Sequence, residues 1–142
     1  DSIIMTRETK PIETTDELKE AVSRFLPKGS ENKVLAQIFQ ALRIEVNEEM
    51  KVLEIFLSQC AEVLNPGGRL VVLSYHSLED RLVKNFMKTG NADGILEKDF
   101  FGNQLTPYKL MTSKPVVPSD DEIQINSRAR SAKLRGAERR KE

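Results

Sequence analysis

The sequence predicts an α/β fold, and three successive segments carry the prediction. Apolar residues from about 32 to 64 recur at spacings of three and four, the period of one buried helical face. Asn-Pro-Gly-Gly at 65–68 ends that pattern, and residues 69–75 form a β-rich run with an apolar centre, typical of a strand covered on both faces. Residues 77–80, Ser-Leu-Glu-Asp, then open a further helix through about Met87. Helix, turn, buried strand and helix make half of a layered α/β domain.

The segment before this core is predicted to be helical. Residues 14–17, Thr-Thr-Asp-Glu, form a capping box that should begin a short helix over 15–25. Pro27, Gly29 and Ser30 predict a loop after it. The apolar pattern that follows fits either one long helix or two helices joined near Asn47.

The segment after the core is less regular. Residues 89–106 contain three of the seven glycines and predict a loop. Residues 108–117 predict a strand that ends at Pro118, and Ser119 to Glu122 is another capping box. Residues 132–139 fit either a last strand or a basic helix, and periodicity does not decide between them.

Length and composition argue against a membrane-spanning protein and against one stabilised by disulfides. The 142 residues fit one domain or less, and the longest apolar stretch is too short to cross a bilayer, so we expect a cytoplasmic protein. Cys60 is the single cysteine, which excludes an internal disulfide and leaves no thiol pair for a metal. The 22 basic and 22 acidic side chains balance, but seven of the basic ones lie within residues 126–142. That segment is a candidate basic patch.

Three sequence blocks resemble the RsmH (formerly MraW) family of S-adenosylmethionine-dependent RNA methyltransferases. They are FQALRIEVNEE at 39–49, PGGRLVVLSYHSLEDR at 66–81 and NSRARSAKLR at 126–135. They occur in the family's order, and the resemblance extends over nearly the whole chain from Thr14. Members of that family methylate N4 of a cytidine in 16S ribosomal RNA.

The resemblance implies an architecture and a missing part. Residues 1–30 would end a helical substrate-recognition insertion, and residues 31–142 would form the C-terminal half of a class I, Rossmann-like methyltransferase domain. Residues 108–117 and 132–139 would pair as an antiparallel hairpin. The glycine loop that holds S-adenosyl-L-methionine would lie before Asp1, so we expect a fragment that binds no cofactor and is inactive alone.

Candidate binding residues fall in the same three blocks, and each has a structural alternative. Arg43 and Asn47 share a polar helix flank that could face RNA, although Arg43 could equally pair with a nearby carboxylate. His76 and Ser77 follow the buried strand, where open α/β sheets place their sites, and they could cap the next helix, contact substrate, or do both. Arg81 is either an RNA contact or a solvated charge. The strongest group for phosphate contacts lies in the basic segment and comprises Asn126, Arg128, Arg130, Lys133 and Arg135.

The expected partner is 16S ribosomal RNA or the small ribosomal subunit. No catalytic residue can be named, and no metal is expected. The competing hypothesis is a non-catalytic RNA-binding or protein-binding module with a basic C-terminal tail. A homodimer that covers an exposed sheet edge is the structural alternative.

Overall fold

A computed structural model describes residues 1–141, and Glu142, the last residue of the predicted catalytic half, lies outside the described residues. The chain divides into two compact units, Asp1–Asn47 and Glu48–Glu142. The boundary predicted at residue 30 concerns an insertion in a longer protein, and it stays a prediction.

The N-terminal unit is helical. It contains α1 (Ser2–Thr9), α2 (Thr15–Val22) with a 3-10 turn at Ser23–Phe25, and α3 (Glu31–Val46). The predicted capping box of α2 is confirmed: the hydroxyl of Thr14 accepts the Glu17 N–H, and the Glu17 carboxylate accepts the Thr14 N–H at 3.0 Å. The apolar face predicted for α3 carries no buried residue, unlike the face of the helix that follows.

The long apolar pattern forms two helices, which confirms the second of the two alternatives. α3 ends at Val46 with Asn47 as its C-cap, and Glu48 takes a left-handed conformation with φ of 49° before α4 (Glu49–Val63) begins. A left-handed residue cannot continue a right-handed helix, so the break is set by the backbone at Glu48.

The C-terminal unit is the α/β part of the chain. After α4 come β1 (Arg69–Ser74), α5 (Ser77–Thr89), β2 (Tyr108–Leu110), α6 (Asp120–Ile125), a 3-10 turn (Ser127–Ser131) and β3 (Lys133–Arg139). The strands form one antiparallel sheet in the order β1-β3-β2. Residues 133–139 are therefore a strand, and the hairpin pairing implied by the family resemblance is confirmed.

The core of this unit lies on one face of the sheet. Leu57 of α4 and Val83 and Met87 of α5 are fully buried against Tyr108 of β2 and Ala137 of β3. Burying such side chains contributes about 1.5–3 kcal/mol each for the larger aliphatic ones. This packing fixes the position of α5 relative to the three strands.

The other face of β1 corrects the prediction of a strand covered on both sides. Leu70 is buried, but Val71 and Leu73 are 56% and 50% exposed. α4 and α5 both pack on the Leu70 side, and among the described residues of the C-terminal unit no helix packs over Val71 and Leu73. Side chains of one strand alternate between faces, so a single helical layer buries only half of them.

The strand predicted over 108–117 is also shorter than expected. β2 ends at Leu110, and pairing with β3 resumes only at Val116, which exchanges two backbone hydrogen bonds with Leu134. Pro115 has no N–H to give to the ladder, and the hydroxyl of Thr112 donates to the Lys114 carbonyl at 2.7 Å. Local bonding therefore interrupts the strand between the two paired stretches.

Candidate nucleic-acid interface

The N-terminus of α5 is capped by an imidazole. His76 Nδ1 accepts the Glu79 N–H in a long hydrogen bond of 3.4 Å, and the Glu79 carboxylate accepts the Tyr75 N–H at 3.1 Å. Because Nδ1 accepts, the proton of the neutral ring is on Nε2. Nε2 lies 3.1 Å from Glu79 Oε1 without hydrogen-bond geometry. The capping interpretation of His76 is confirmed, and its contact with substrate stays a prediction.

Two other predicted residues lie on the same helix. Ser77 is the first residue of α5, so the cap is provided by His76 and not by the serine hydroxyl. Arg81 lies one turn further and is exposed. Both remain accessible to a ligand at this end of the sheet.

Asp80 joins α5 to β3 through a nearly buried ion pair. Arg135 donates to it twice, from Nε to Oδ1 at 2.6 Å and from Nη2 to Oδ2 at 3.1 Å. Lys133 Nζ donates to Oδ2 at 3.3 Å. These bonds, led by the one from Arg135, hold the pKa of Asp80 below its ordinary value of 3.8 against the opposing effect of burial. The carboxylate is therefore ionised at neutral pH.

This geometry corrects the assignment of Arg135 as a phosphate contact. Its side chain is only 11% exposed, and its guanidinium is bound in bidentate fashion by Asp80. A phosphate could reach it only by displacing the carboxylate, which would leave a buried charge unpaired. Arg135 acts within the fold, while Lys133, with a side chain 40% exposed, keeps an accessible face.

The start of β3 lies beside the end of β1. Ser74 is paired with Lys133, and its hydroxyl donates to the Lys133 carbonyl at 3.3 Å. The 3-10 turn Ser127–Ser131 comes immediately before β3, and the Asn126 side chain caps it by accepting the Arg128 N–H at 3.2 Å. We call three cations of this region the basic end of the sheet: the exposed Arg128 and Arg130, and the partly exposed Lys133.

The remaining predicted residues belong to the other unit. Arg43 lies in the last turn of α3 and Asn47 is its C-cap residue. Both make interactions within the protein. Their role in RNA binding stays a prediction.

The glycine pair at 67 and 68 does not fit a cofactor loop. The Gly67 N–H donates to the Arg139 carbonyl, the Gly68 N–H donates to the Asn65 carbonyl, and the Gly68 carbonyl accepts the Arg139 N–H. Gly67 has φ of +82°, which explains the glycine at that turn. These backbone groups are used by the turn and the sheet, so they cannot also bind the carboxylate or ribose of S-adenosylmethionine.

The sequence interpretation missed Asp80 as the centre of the ion-pair network. A usable signal was present, because residues 133 and 135, two apart in a strand, share one face, and Asp80 is an acidic residue in the first turn of α5. Their meeting depends on the register of β1 and β3, which no local pattern specifies.

The part of the chain that the structure describes contains neither a metal-binding cluster nor a membrane-spanning helix. No three side chains of His, Cys, Asp or Glu are grouped so as to hold a metal ion there. No helix among residues 1–141 has the length and apolar character needed to span a membrane.

Comparison with known proteins identifies the family of this chain. The model of the MraW methylase family matches residues 1–140. The chain is 57% identical over 138 residues to the ribosomal RNA small subunit methyltransferase H of Flavobacterium johnsoniae and 56% identical over 137 residues to that of Parabacteroides distasonis. These alignments cover 97% and 96% of this chain but 45% of each relative, so the chain spans less than half the length of the curated relatives it matches. The chain belongs to the MraW methylase family.

Proposed function

We propose that this chain is part of an S-adenosylmethionine-dependent methyltransferase that modifies N4 of a cytidine in small-subunit ribosomal RNA. Its relatives are named ribosomal RNA small subunit methyltransferase H, which supports ribosomal RNA as the substrate. In this proposal the protein acts in the cytoplasm, where the small ribosomal subunit is its partner.

The basic end of the sheet is the observation that carries the RNA-binding part of the proposal. Arg128 and Arg130 are exposed in the turn that leads into β3, and Lys133, which contacts Asp80 of α5, is partly exposed. Cations of this kind supply much of the sequence-independent affinity for an RNA backbone. The ion pair of Asp80 with Arg135 attaches β3 to α5. Arg128 and Arg130 lie in the turn directly before β3, so this ion pair also anchors the end of that turn.

The proposed chemistry needs no protein nucleophile. Methylation of an exocyclic amine requires that the base leave its stack, that the amine be aligned, and that it lose a proton. Cys60 is partly buried in the core, and burial raises the pKa of its thiol. Because the amine itself attacks the methyl group, the reaction requires no thiol, in contrast to methylation at C5 of a pyrimidine.

Gly67 and Gly68 do not fit the cofactor's glycine loop, and in this proposal no step through the cofactor is assigned to this chain. We place cofactor binding in the remaining part of the protein. Residues 1–30 would then end a helical insertion, and residues 31–142 would complete a class I methyltransferase sheet. In this arrangement the chain alone binds no S-adenosylmethionine and transfers no methyl group.

A methyl-transfer assay on small ribosomal subunits tests the proposal. The full-length protein and this chain would each be incubated with methyl-labelled S-adenosylmethionine and unmodified subunits, and the RNA would then be digested to nucleosides. We expect N4-methylcytidine with the full-length protein and no label with this chain. Label at C5 of a pyrimidine, or an absence of labelled RNA with the full-length protein, would refute the proposed reaction.

A further inference from the structure

A short hairpin projects from the loop between α5 and β2. Lys98 and Gln104 form an isolated antiparallel bridge, and the Leu105 N–H donates to the Glu97 carbonyl at 2.9 Å. At the tip, the Asp99 N–H donates to the Asn103 carbonyl at 2.9 Å. This segment lies within the loop predicted over 89–106, which contains this one isolated bridge.

Asp99 holds the tip in one shape. Its Oδ1 accepts the Phe101 N–H at 2.9 Å and the Asn103 N–H at 2.8 Å, and its Oδ2 accepts the Asn103 side-chain amide at 2.8 Å. Gly102 completes the turn with φ of +87°, which a side chain would disfavour. The Asp99 carboxylate therefore forms its hydrogen bonds within the tip. These bonds, and not the two neighbouring aromatic rings, hold the backbone of the turn.

Those two rings face solvent. Phe100 is 98% exposed and Phe101 is 85% exposed. Their centroids are 5.7 Å apart in an edge-to-face arrangement with an interplanar angle of 87°. Neither ring belongs to the core of the unit. Two fully exposed phenylalanines on a rigid turn contribute nothing visible to folding and are typical of a contact surface.

We propose that the Phe100–Phe101 tip is a stacking platform for an unpaired base of the ribosomal RNA substrate. The inference rests on the proposed function. It adds a second RNA-binding surface to the chain, separate from the basic end of the sheet. Aromatic faces stack on unpaired bases in many proteins that bind single-stranded RNA. A preformed tip also avoids the entropy cost of ordering a loop on binding.

An exposed cation beside two aromatic rings suits a phosphate and its base. The charge of Asp99 is directed into the turn by its hydrogen bonds. Lys98 is exposed and makes no ion pair within residues 1–141, so it is free to contact a phosphate next to the stacked base. Glu97 lies one residue pair further from the tip.

Fluorescence of a single-stranded RNA of about ten nucleotides, containing 2-aminopurine, tests the platform directly. The chain contains no tryptophan to interfere. We expect binding of the wild-type chain to quench the 2-aminopurine. The double variant Phe100→Leu/Phe101→Leu keeps apolar side chains but loses the stacking faces, so it should abolish the quenching and raise Kd roughly tenfold. Tyrosine at both positions should restore both signals.

Three controls separate this proposal from the proposed function. Phe56→Leu removes another exposed phenylalanine, and it should change neither signal. Arg128→Gln/Arg130→Gln should weaken binding but keep the quenching of the RNA that remains bound. Circular dichroism should show that all variants keep the wild-type spectrum.

Several outcomes would overturn the platform. If the leucine variant binds and quenches as the wild type does, the rings do not stack on RNA, although the basic end can still bind it. If that variant binds RNA normally and yet lowers methylation of whole subunits when built into the full-length protein, the tip contacts a protein instead. If the wild-type chain binds no RNA, both the platform and the RNA-binding role of this chain fail.

Discussion

Among single residues, Asp80 and Arg135 determine how the basic C-terminal segment can be used. The sequence predicts five residues of that segment as RNA contacts and does not distinguish between them. In the structure, Arg135 is bound by Asp80, whereas Arg128 and Arg130 are exposed. The buried pair is a structural device that anchors β3 to α5. Its neighbours remain available for a ligand.

Removal of the carboxylate should therefore destabilise the fold. Asp80→Asn leaves the Arg135 guanidinium buried without a counter-charge, and loss of one partner of such a pair costs about 3 kcal/mol in the free energy of unfolding. Urea denaturation followed by circular dichroism measures this change. Asp93→Asn is the matched control, since Asp93 is exposed, and it should leave the urea midpoint unchanged.

The same variant should alter the response to acid. The pKa of Asp80 is lowered in the folded state, so its contribution is fully present above its ordinary value of 3.8 and is lost as pH falls through the lower folded-state pKa. The wild-type chain should lose stability on acidification below about pH 4, and Asp80→Asn should lose less over that interval. Equal losses in the two proteins would show that another carboxylate controls the acid transition.

Among the secondary-structure elements, local signals placed most helices correctly because capping and periodicity act over a few residues. The boxes at Thr14 and Ser119 begin α2 and α6 as predicted, each with a hydroxyl that accepts a backbone N–H. Residues 133–139 were ambiguous because their pattern fits two structures. Pairing with β1 on one side and β2 on the other settles them as a strand.

The cap of α5 offers a way to separate the structural role of His76 from a binding role. His76→Asn keeps a good capping side chain and removes the imidazole, whereas His76→Ala removes both. We expect the alanine variant to lose about 1 kcal/mol of stability in urea denaturation and the asparagine variant to lose almost none. Equal destabilisation by both would contradict a role limited to capping.

RNA affinity of the same two variants reports on the binding role. If the ring contacts RNA, His76→Asn should raise the Kd for a single-stranded RNA while its urea midpoint stays at the wild-type value. If Kd is unchanged in this variant, the imidazole serves only the helix.

At the scale of the whole molecule, the C-terminal unit has one sheet face that none of its own helices covers. Val71, Leu73, Met111 and Val116 are each about half exposed on or next to this face, and β1 is an edge strand. In the proposed full-length protein, further elements would cover this surface. In this chain by itself, an apolar face next to an open strand edge favours self-association.

We therefore expect this chain to associate as its concentration rises. Light scattering should show a mass above that of a monomer, and Leu73→Glu should restore the monomer by placing a charge on the exposed face. Ile125→Glu is the control, because Ile125 is 89% exposed on α6, outside the sheet. A wild-type chain that stays monomeric at all concentrations would contradict this expectation.

The sequence by itself determined the α/β class, most helix starts, the strand at β1 and the resemblance to a methyltransferase family, because these depend on local spacing or on matching blocks. The tertiary structure alone decided which cations are accessible, since the alternation of residues along β3 and its register with β1 direct Arg135 inward toward Asp80. It also decided that two phenylalanines in a glycine-rich loop stand at a fixed tip, because the hydrogen bonds of Asp99 order that turn. Both outcomes depend on contacts that only the folded chain brings together.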